Sequence, residues 1–174
     1  LLEIEATVAM NEEFMRQDPT NLKLSLWDGV EPGFALAGPP GSGKTTIARI
    51  IVKFFVALDL LPRLDAAEKM VEVCGSDLVA GFVGQSATKT KEYLRDALGS
   101  AFYLDEPQGI LESGYRGEIM STLVPFIENN RQRMLFFVTG YNHVIEDFKA
   151  ADDGMARRIG TNFNTHAMSA QVAA

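Results

Sequence analysis

A glycine-rich stretch of eight residues constrains the fold more than any other feature of the chain. It reads Gly38-Pro39-Pro40-Gly41-Ser42-Gly43-Lys44-Thr45. This spelling fits G-x-x-x-x-G-K-[ST], the pattern of a loop that wraps phosphate groups and is called a P-loop. Its three glycines let the backbone turn tightly, so that several N–H groups point at one phosphate. The stretch therefore predicts a phosphate site, which requires a strand before the loop and a helix after it.

The flanking residues supply that setting. The apolar run 33–37 suits a buried strand, and apolar residues recur at helical spacing after the loop. Lys44 would bring a positive charge to the β- and γ-phosphates, and the Thr45 hydroxyl would contact Mg²⁺. The N-terminus of the helix adds a favourable potential for an anion. The expected nucleotide-binding residues are Gly38, Pro39, Pro40, Gly41, Ser42, Gly43, Lys44, Thr45 and Thr46.

Strands alternate with helices along the rest of the chain. The predicted strands cover 33–37, 69–74, 101–104, 134–138 and 160–164, and the predicted helices cover 2–16, 44–59, 86–98, 115–129 and 143–150. Residues 107–114 are expected to form a loop, and Pro125 to kink or end its helix early. Long crossovers between strands favour parallel pairing. We therefore expect an α/β, three-layer P-loop fold, with a parallel five-stranded sheet and helices on both faces.

A pair of acidic residues follows the third predicted strand directly. Ligands of parallel sheets bind at the carboxyl ends of the strands, so Asp105 and Glu106 should meet the P-loop there. Asp105 is placed to hold Mg²⁺, and Glu106 to polarise a water aimed at the γ-phosphate. A strand that simply ends in solvated acids is the alternative. With a P-loop upstream, the pair favours nucleotide hydrolysis.

Composition narrows the class of protein further. The 174 residues suggest one main domain, expected at 33–165, with an N-terminal helical or linker segment at 1–32 and a tail at 166–174. A net charge of −7 argues against nucleic acid as a partner. Lys53 interrupts the longest apolar run, so no membrane span is expected. One cysteine, Cys74, excludes an internal disulfide and suits a reducing compartment. The first residue is Leu1, which suggests an excerpt or a processed form.

Residues 34–163 resemble the large ATPase subdomain of the AAA+ superfamily. The likeness is greatest to the branch of the red-type rubisco activases, the stage V sporulation protein K group and the type VII secretion ATPases. The segments that carry it are 38–49, 76–86, Tyr103-Leu104-Asp105-Glu106, Val138-Thr139-Gly140-Tyr141 and Gly154-Met155-Ala156-Arg157-Arg158-Ile159. The resemblance implies ATP and Mg²⁺ as cofactors, a homo-oligomeric ring, hexameric by analogy, and the remodelling of a protein partner. It implies a cytoplasmic protein, or one of the plastid stroma.

The resemblance also assigns roles outside the P-loop. Phe82 lies in Gly81-Phe82-Val83-Gly84, which resembles a pore loop that grips a polypeptide; an aromatic side chain packed against its own domain is the alternative. Arg158 resembles the arginine finger that reaches into the site of a neighbouring subunit, with Arg157 as its rival.

The resemblance also implies a polar residue at the end of the fourth strand that orients the attacking water, but several residues could be this sensor. Thr139, Tyr141 and Asn142 compete for it, and Thr139 or Tyr141 is favoured.

Some positions depart from the family pattern. Pro107-Gln108 stands where Ala-Tyr is common, and a proline here is expected to hold Glu106 in an extended conformation. No adenine-binding motif is recognisable in 1–32, and we expect the helical lid to be absent from the tail. Two other functions therefore stay open: a non-catalytic module that binds nucleotide to assemble, and a P-loop kinase acting on a small molecule.

Overall fold

Five parallel strands form the centre of the molecule, for which a computed structural model describes residues 1–20 and 25–165. They are β1 Gly33–Ala37, β2 Val71–Cys74, β3 Ala101–Asp105, β4 Leu135–Gly140 and β5 Thr161–Asn164. Their order across the sheet is β2-β3-β4-β1-β5, and every pairing is parallel. The expected five-stranded parallel sheet is confirmed.

Helices cover both faces of the sheet. They are α1 Leu2–Gln17, α2 Lys44–Ala57, α3 Gln85–Asp96, α4 Gln108–Leu111, α5 Arg116–Asn129, α6 Asn142–Ala150 and α7 Asp153–Arg158, with a 3₁₀ turn at Gly75–Leu78. Neighbouring residues of a strand point to opposite faces of the sheet, so each strand contributes side chains to two hydrophobic cores. Phe34 packs with α2 and Trp27, whereas Ala35 packs with residues of α5 and α6. The three-layer α/β architecture is thereby confirmed.

The N-terminal segment is tied to the α2 side of the core. Trp27 is buried, and its Nε1 donates a hydrogen bond of 3.1 Å to the Leu60 carbonyl. Asn11 of α1 donates through Nδ2 to the carbonyls of Leu26, at 3.2 Å, and Asp28, at 2.8 Å. These bonds hold α1 against residues 26–28, which precede β1 in the chain. The tail expected at 166–174 lies outside the described residues.

One expectation about local structure is wrong, and one of the two alternatives expected for Pro125 is also wrong. Residues 107–114 contain α4 rather than loop alone, because Pro107 has φ −64, which suits the start of a helix. Pro125 does not end α5, which continues to Asn129. The carbonyl that loses its donor belongs to Ser121, and both residues are exposed, so water can satisfy it.

Asp152 separates α6 from α7, a helix that the sequence pattern did not predict. Its side chain accepts hydrogen bonds from the amides of Gly154, at 2.7 Å, and Met155, at 3.3 Å. This is an N-cap, which stabilises the first turn of a helix. The acidic pair 152–153 therefore begins a new helix in addition to ending α6, and α7 carries Arg157 and Arg158.

No helix among residues 1–20 and 25–165 combines the length and the apolar character that a membrane crossing needs.

Candidate active site

The P-loop joins the carboxyl end of β1 to the first turn of α2. Gly41 and Gly43 have φ of 74° and 82°, a left-handed conformation that side-chain-bearing residues rarely adopt. The first amides of α2, from Lys44 to Thr46, have no acceptor within the helix. Free amides and the positive end of the helix dipole together make a cradle for a phosphate group.

Lys44 reaches across the mouth of this loop. Its Nζ donates hydrogen bonds to the carbonyls of Gly38, at 3.0 Å, and Pro39, at 2.9 Å. Within the described residues no carboxylate forms an ion pair with it. The side chain lines a small cavity at the carboxyl edge of the sheet. The other residues of the cavity are Gly38, Pro40, Asp105, Glu106, Gln108, Gly140 and Tyr141.

Asp105 is held by groups of two neighbouring strands. Asp105 and Thr139 are register partners on β3 and β4, and the Thr139 hydroxyl donates to Asp105 Oδ1 at 2.6 Å. The amide of Glu106 donates to the same oxygen at 3.1 Å. Thr139 is fully buried, whereas Tyr141 is half exposed and lines the cavity. Of the three sensor candidates, Thr139 therefore supports Asp105, and Tyr141 faces the cavity.

Thr45 contacts a tyrosine of β3. Its Oγ1 lies 3.1 Å from the hydroxyl oxygen of Tyr103, which is buried two residues before Asp105. Burial raises the pKa of Tyr103 above its ordinary value of 10, and the charge of Asp105 also raises it, against the opposing effect of the nearby Thr139 and Thr45 hydroxyls. Tyr103 is thus a neutral phenol at physiological pH.

The oxygen groups beside the P-loop suit Mg²⁺. A hydroxyl from Thr45 and a carboxylate from Asp105 are the hard ligands that this ion prefers, and Mg²⁺ commonly completes its shell with water and phosphate oxygens. In the part of the chain that the structure describes, no group of three or more His, Cys, Asp or Glu side chains is arranged to hold a metal. A magnesium ion here would therefore depend on nucleotide for further ligands.

Glu106 does not have the extended conformation expected before a proline. Its φ is 48°, in the left-handed region. The Glu106 amide donates to the Thr139 carbonyl at 3.1 Å, and the Glu106 carbonyl lies against Gly75. These contacts hold Glu106 from both sides, so the preference imposed by Pro107 is overridden. A strained backbone of this kind is common at functional sites.

Phe82 projects from the surface rather than into a core. It is 72% exposed, and Val83 beside it is 86% exposed. The loop is attached to the start of α5, where the Tyr115 hydroxyl donates to the Gly81 carbonyl at 3.2 Å. The alternative of an aromatic packed against its own domain does not fit this exposure.

Arg158 lies at the other end of the sheet from the P-loop. A Cβ added to Gly33, where β1 begins, would overlap the Arg158 carbonyl. The guanidinium forms an ion pair of 3.1 Å with Glu128 and donates to the Gly154 carbonyl at 2.6 Å. Arg157 is exposed, and its Nε donates to the Asp153 carbonyl at 3.2 Å. The structure does not bring either arginine to the cavity of its own chain.

Sequence reasoning missed three residues around the site. Tyr103 shares a strand face with Asp105, and that spacing of two was the available signal. Gln108 lines the cavity with a buried Oε1 that has no hydrogen-bond partner among the described residues. The hydroxyl oxygens of Thr165 and Ser42 lie 2.6 Å apart. These residues are distant in the sequence, so no local pattern predicts this contact.

Comparison with known proteins agrees with this geometry. The family model described as "ATPase family associated with various cellular activities (AAA)" matches residues 34–163. ESX-1 secretion system protein EccA1 of Mycolicibacterium smegmatis is 34% identical over 131 residues, which are 72% of this chain and 22% of that protein. ESX-3 secretion system protein EccA3 of Mycobacterium tuberculosis is 33% identical over 132 residues, 74% of this chain and 20% of that protein. The chain thus spans about a fifth of the length of these curated relatives.

Proposed function

The chain belongs to the ATPase family associated with various cellular activities, and we propose that the cavity around Lys44 binds Mg-ATP and directs water onto its γ-phosphate. One observation carries the proposal: the P-loop lysine Lys44 and the carboxylates of Asp105 and Glu106 line the same cavity. The chain is an AAA+ ATPase domain by its family.

The P-loop would bind the phosphates. The residues from Gly38 to Thr46 supply amides, Lys44 supplies a positive charge, and Thr45 and Asp105 supply oxygens for Mg²⁺. The ion would neutralise charge on the phosphate oxygens. Glu106 would accept a proton from the attacking water, since a carboxylate beside the γ-phosphate can act as a general base. Thr139 would fix the direction of Asp105, and the Tyr141 hydroxyl is placed to contact the water or the phosphate.

Arg158 would complete the site of a neighbouring copy. Its position at the opposite edge of the sheet from Lys44 supports action between subunits, because one chain cannot bring the two together. The residues around it form a concave surface. They are Glu31, Pro32, Ile127, Glu128, Arg131 and Arg157. We propose that copies of the chain assemble so that this surface meets the next subunit's cavity, in a hexameric ring by analogy with the family.

The partner of such an assembly would be a protein. The relatives quoted above are named as components of secretion systems, and the exposed Phe82 offers an apolar contact for a polypeptide. We propose that a ring of these loops grips a protein client. The quoted relatives are mycobacterial, so a bacterial cytoplasm is the compartment we favour, and they give the plastid stroma no support.

Two substitutions test the ATPase proposal. Lys44→Ala should weaken ATP binding by at least about tenfold in titration calorimetry, with the unfolding curve unchanged, because a charge-assisted contact is lost. Glu106→Gln should keep ATP affinity and lower turnover by about a hundredfold or more. Undiminished turnover in Glu106→Gln would instead favour one of the other two functions. A phosphorylated acceptor detected in a coupled assay would identify a kinase.

The client proposal needs its own variant. Phe82→Ala should retain basal ATP turnover and lose the stimulation that an unfolded model protein such as casein gives the parent. A collapsed unfolding curve with loss of basal turnover would contradict the role of Phe82 as a surface contact.

A further inference from the structure

A pair of hydroxyl groups joins the P-loop to the end of β5. The hydroxyl oxygens of Ser42 and Thr165 lie 2.6 Å apart, within hydrogen-bond distance, and either group can be the donor. Ser42 is 7% exposed, and it is the one residue from Gly38 to Gly43 whose side chain can form a hydrogen bond. The side chains of this stretch can therefore hydrogen-bond to the rest of the protein only through Ser42.

Thr165 is itself fixed to the strand that leads into the loop. Its amide donates to the Ala37 carbonyl at 2.7 Å, and its hydroxyl oxygen lies 3.0 Å from the same carbonyl oxygen. Ala37 is the last residue of β1, directly before Gly38, and Thr165 directly follows β5. Thr165 thus holds both the start of the P-loop and Ser42 inside it.

The absence of a side chain on Gly38 makes this close approach possible. A Cβ added to Gly38 would lie 2.0 Å from Thr165 Oγ1 and 2.9 Å from Ser42 Oγ, so the hydroxyl pair would have to move. A Cβ added to Gly41 or Gly43 would meet no described atom within 4 Å. The base of the loop is therefore packed against the end of β5, whereas its tip has open space in which a phosphate can bind.

We propose that Thr165 is a positioning residue for the nucleotide phosphates, which holds the P-loop in its binding conformation through Ser42. The proposal rests on the proposed function, because this loop is the phosphate-binding part of the same Mg-ATP site. Thr165 is not one of the residues that line the cavity around Lys44, so its effect would reach the phosphates through the loop. A loop that is ordered before binding lowers the entropy cost of binding.

The test is titration calorimetry of the 174-residue chain with a non-hydrolysable ATP analogue and MgCl₂. Thr165→Val removes the hydroxyl but keeps the shape of the side chain and the amide that donates to Ala37. We expect it to weaken binding by about threefold to tenfold, the range of one net hydrogen bond. Thr165→Ser retains a hydroxyl and should restore most of the affinity.

Thr161→Val is the matched control. Thr161 begins the same strand, where its register partner is Phe34 rather than a residue next to the loop, so this variant should bind the analogue as the parent does. Unfolding curves without nucleotide report whether each variant folds.

A double-mutant cycle with Ser42→Ala separates positioning through Ser42 from general packing. Ser42→Ala alone should weaken binding as Thr165→Val does, and the two substitutions together should weaken it no more than either one. Losses that add in the double variant would overturn the proposal. So would an unchanged affinity in Thr165→Val, or a Thr165→Ser variant that binds as weakly as Thr165→Val.

Amide hydrogen exchange measures the same link without nucleotide. The Ser42 amide donates to the Pro39 carbonyl at 3.3 Å, and the Thr165 amide donates to Ala37. Thr165→Val should speed exchange at Ser42, and Ser42→Ala should speed exchange at Thr165, because coupling between two sites is reciprocal. If neither amide responded to the substitution of the other residue, the role of Thr165 would be overturned.

The parent protein keeps this result distinct from the ATPase proposal. If the parent binds the analogue and Thr165→Val binds it equally well, only the role of Thr165 is wrong. If the parent does not bind the analogue, the proposed function itself is wrong, and the role of Thr165 is overturned with it.

Discussion

Arg158 and Glu128 form an ion pair of 3.1 Å at the amino-terminal edge of the sheet. The Arg158 backbone lies against Gly33, and β1 runs from there through five residues to the P-loop. A strand of that length spans about 17 Å. Arg158 and the P-loop of one chain thus lie at opposite ends of β1. The arginine-finger role that we propose for Arg158 would therefore act on the nucleotide of another copy.

The first prediction concerns complementation between copies. Arg158→Ala should lower ATP turnover by about a thousandfold, the scale of a lost arginine finger, and Glu106→Gln should also be inactive. In a mixture, the Arg158→Ala chain keeps an intact cavity and the Glu106→Gln chain keeps an intact arginine. Turnover of the mixture should therefore recover above the sum of the two variants, measured as phosphate release.

Arg157→Ala serves as the neighbouring control. Arg157 is exposed, and among residues 1–20 and 25–165 its side chain donates only to the Asp153 carbonyl, so we expect this variant to keep most of the parent's turnover. If Arg157→Ala lost turnover and Arg158→Ala kept it, Arg157 would be the arginine finger. A mixture that shows no recovery would argue against action between subunits.

The second prediction concerns the loop that carries Phe82. The Glu118 carboxylate accepts hydrogen bonds from the amides of Ala87, at 2.7 Å, and Gly84, at 3.1 Å, so α5 caps the start of α3. Glu118→Ala should cost about 1 kcal/mol of unfolding free energy, the usual value of a lost cap. It should also speed amide hydrogen exchange across residues 80–88. Glu112 is exposed and directly follows α4, and Glu112→Ala should change neither quantity.

The third prediction concerns the backbone of Glu106. A Cβ added to Gly75 would lie 2.5 Å from the Glu106 carbonyl oxygen, and backbone atoms cannot yield as a flexible side chain does. Gly75→Ala should therefore destabilise the fold by about 1–3 kcal/mol and move Glu106 from its place in the cavity, with a loss of turnover. Gly114→Ala meets nothing within 4 Å and is the control. Wild-type turnover in Gly75→Ala would show that the Glu106 backbone has more freedom than this packing implies.

The sequence was sufficient for the parts of the site that depend on local patterns. The P-loop spelling and the apolar run before Asp105 predicted which strand ends meet, because parallel strands place their carboxyl ends at one edge. The five strands were predicted within a few residues for the same reason. Hydrophobic periodicity and the rules of strand pairing depend on short stretches of chain, so the sequence alone is enough to predict the elements that they determine.

The errors arose where tertiary contacts overrule a local preference. Pro107 favours an extended Glu106, but two hydrogen-bonded neighbours and the approach of Gly75 impose φ 48°. The unpredicted helix α7 is a different case, because its N-cap Asp152 accepts from amides only two and three residues ahead, a signal that is present in the local sequence. The bond between Ser42 and Thr165 joins residues 123 positions apart. Contacts of this kind follow from the assembled sheet and have no signature in a window of sequence.

The last prediction concerns stability at alkaline pH. Burial raises the pKa of Tyr103 above its ordinary value of 10. Below pH 10 the phenol is protonated in both the folded and the unfolded chain, so its contribution to stability is constant. Above pH 10 the unfolded chain loses this proton first, and the free energy of unfolding falls by up to about 1.4 kcal/mol per pH unit until the folded phenol also ionises.

Tyr103→Phe isolates that contribution, because it removes the ionising group and little else. Urea unfolding from pH 8 to pH 11, in EDTA without nucleotide, should show the parent as more stable than the variant by about 1 kcal/mol at pH 8. The difference should then shrink or reverse above pH 10, while the effects of other titrating residues cancel between the two proteins. A constant difference across this range would mean that Tyr103 ionises equally in both states, and that its hydroxyl is more accessible to water than the packing beneath the P-loop indicates.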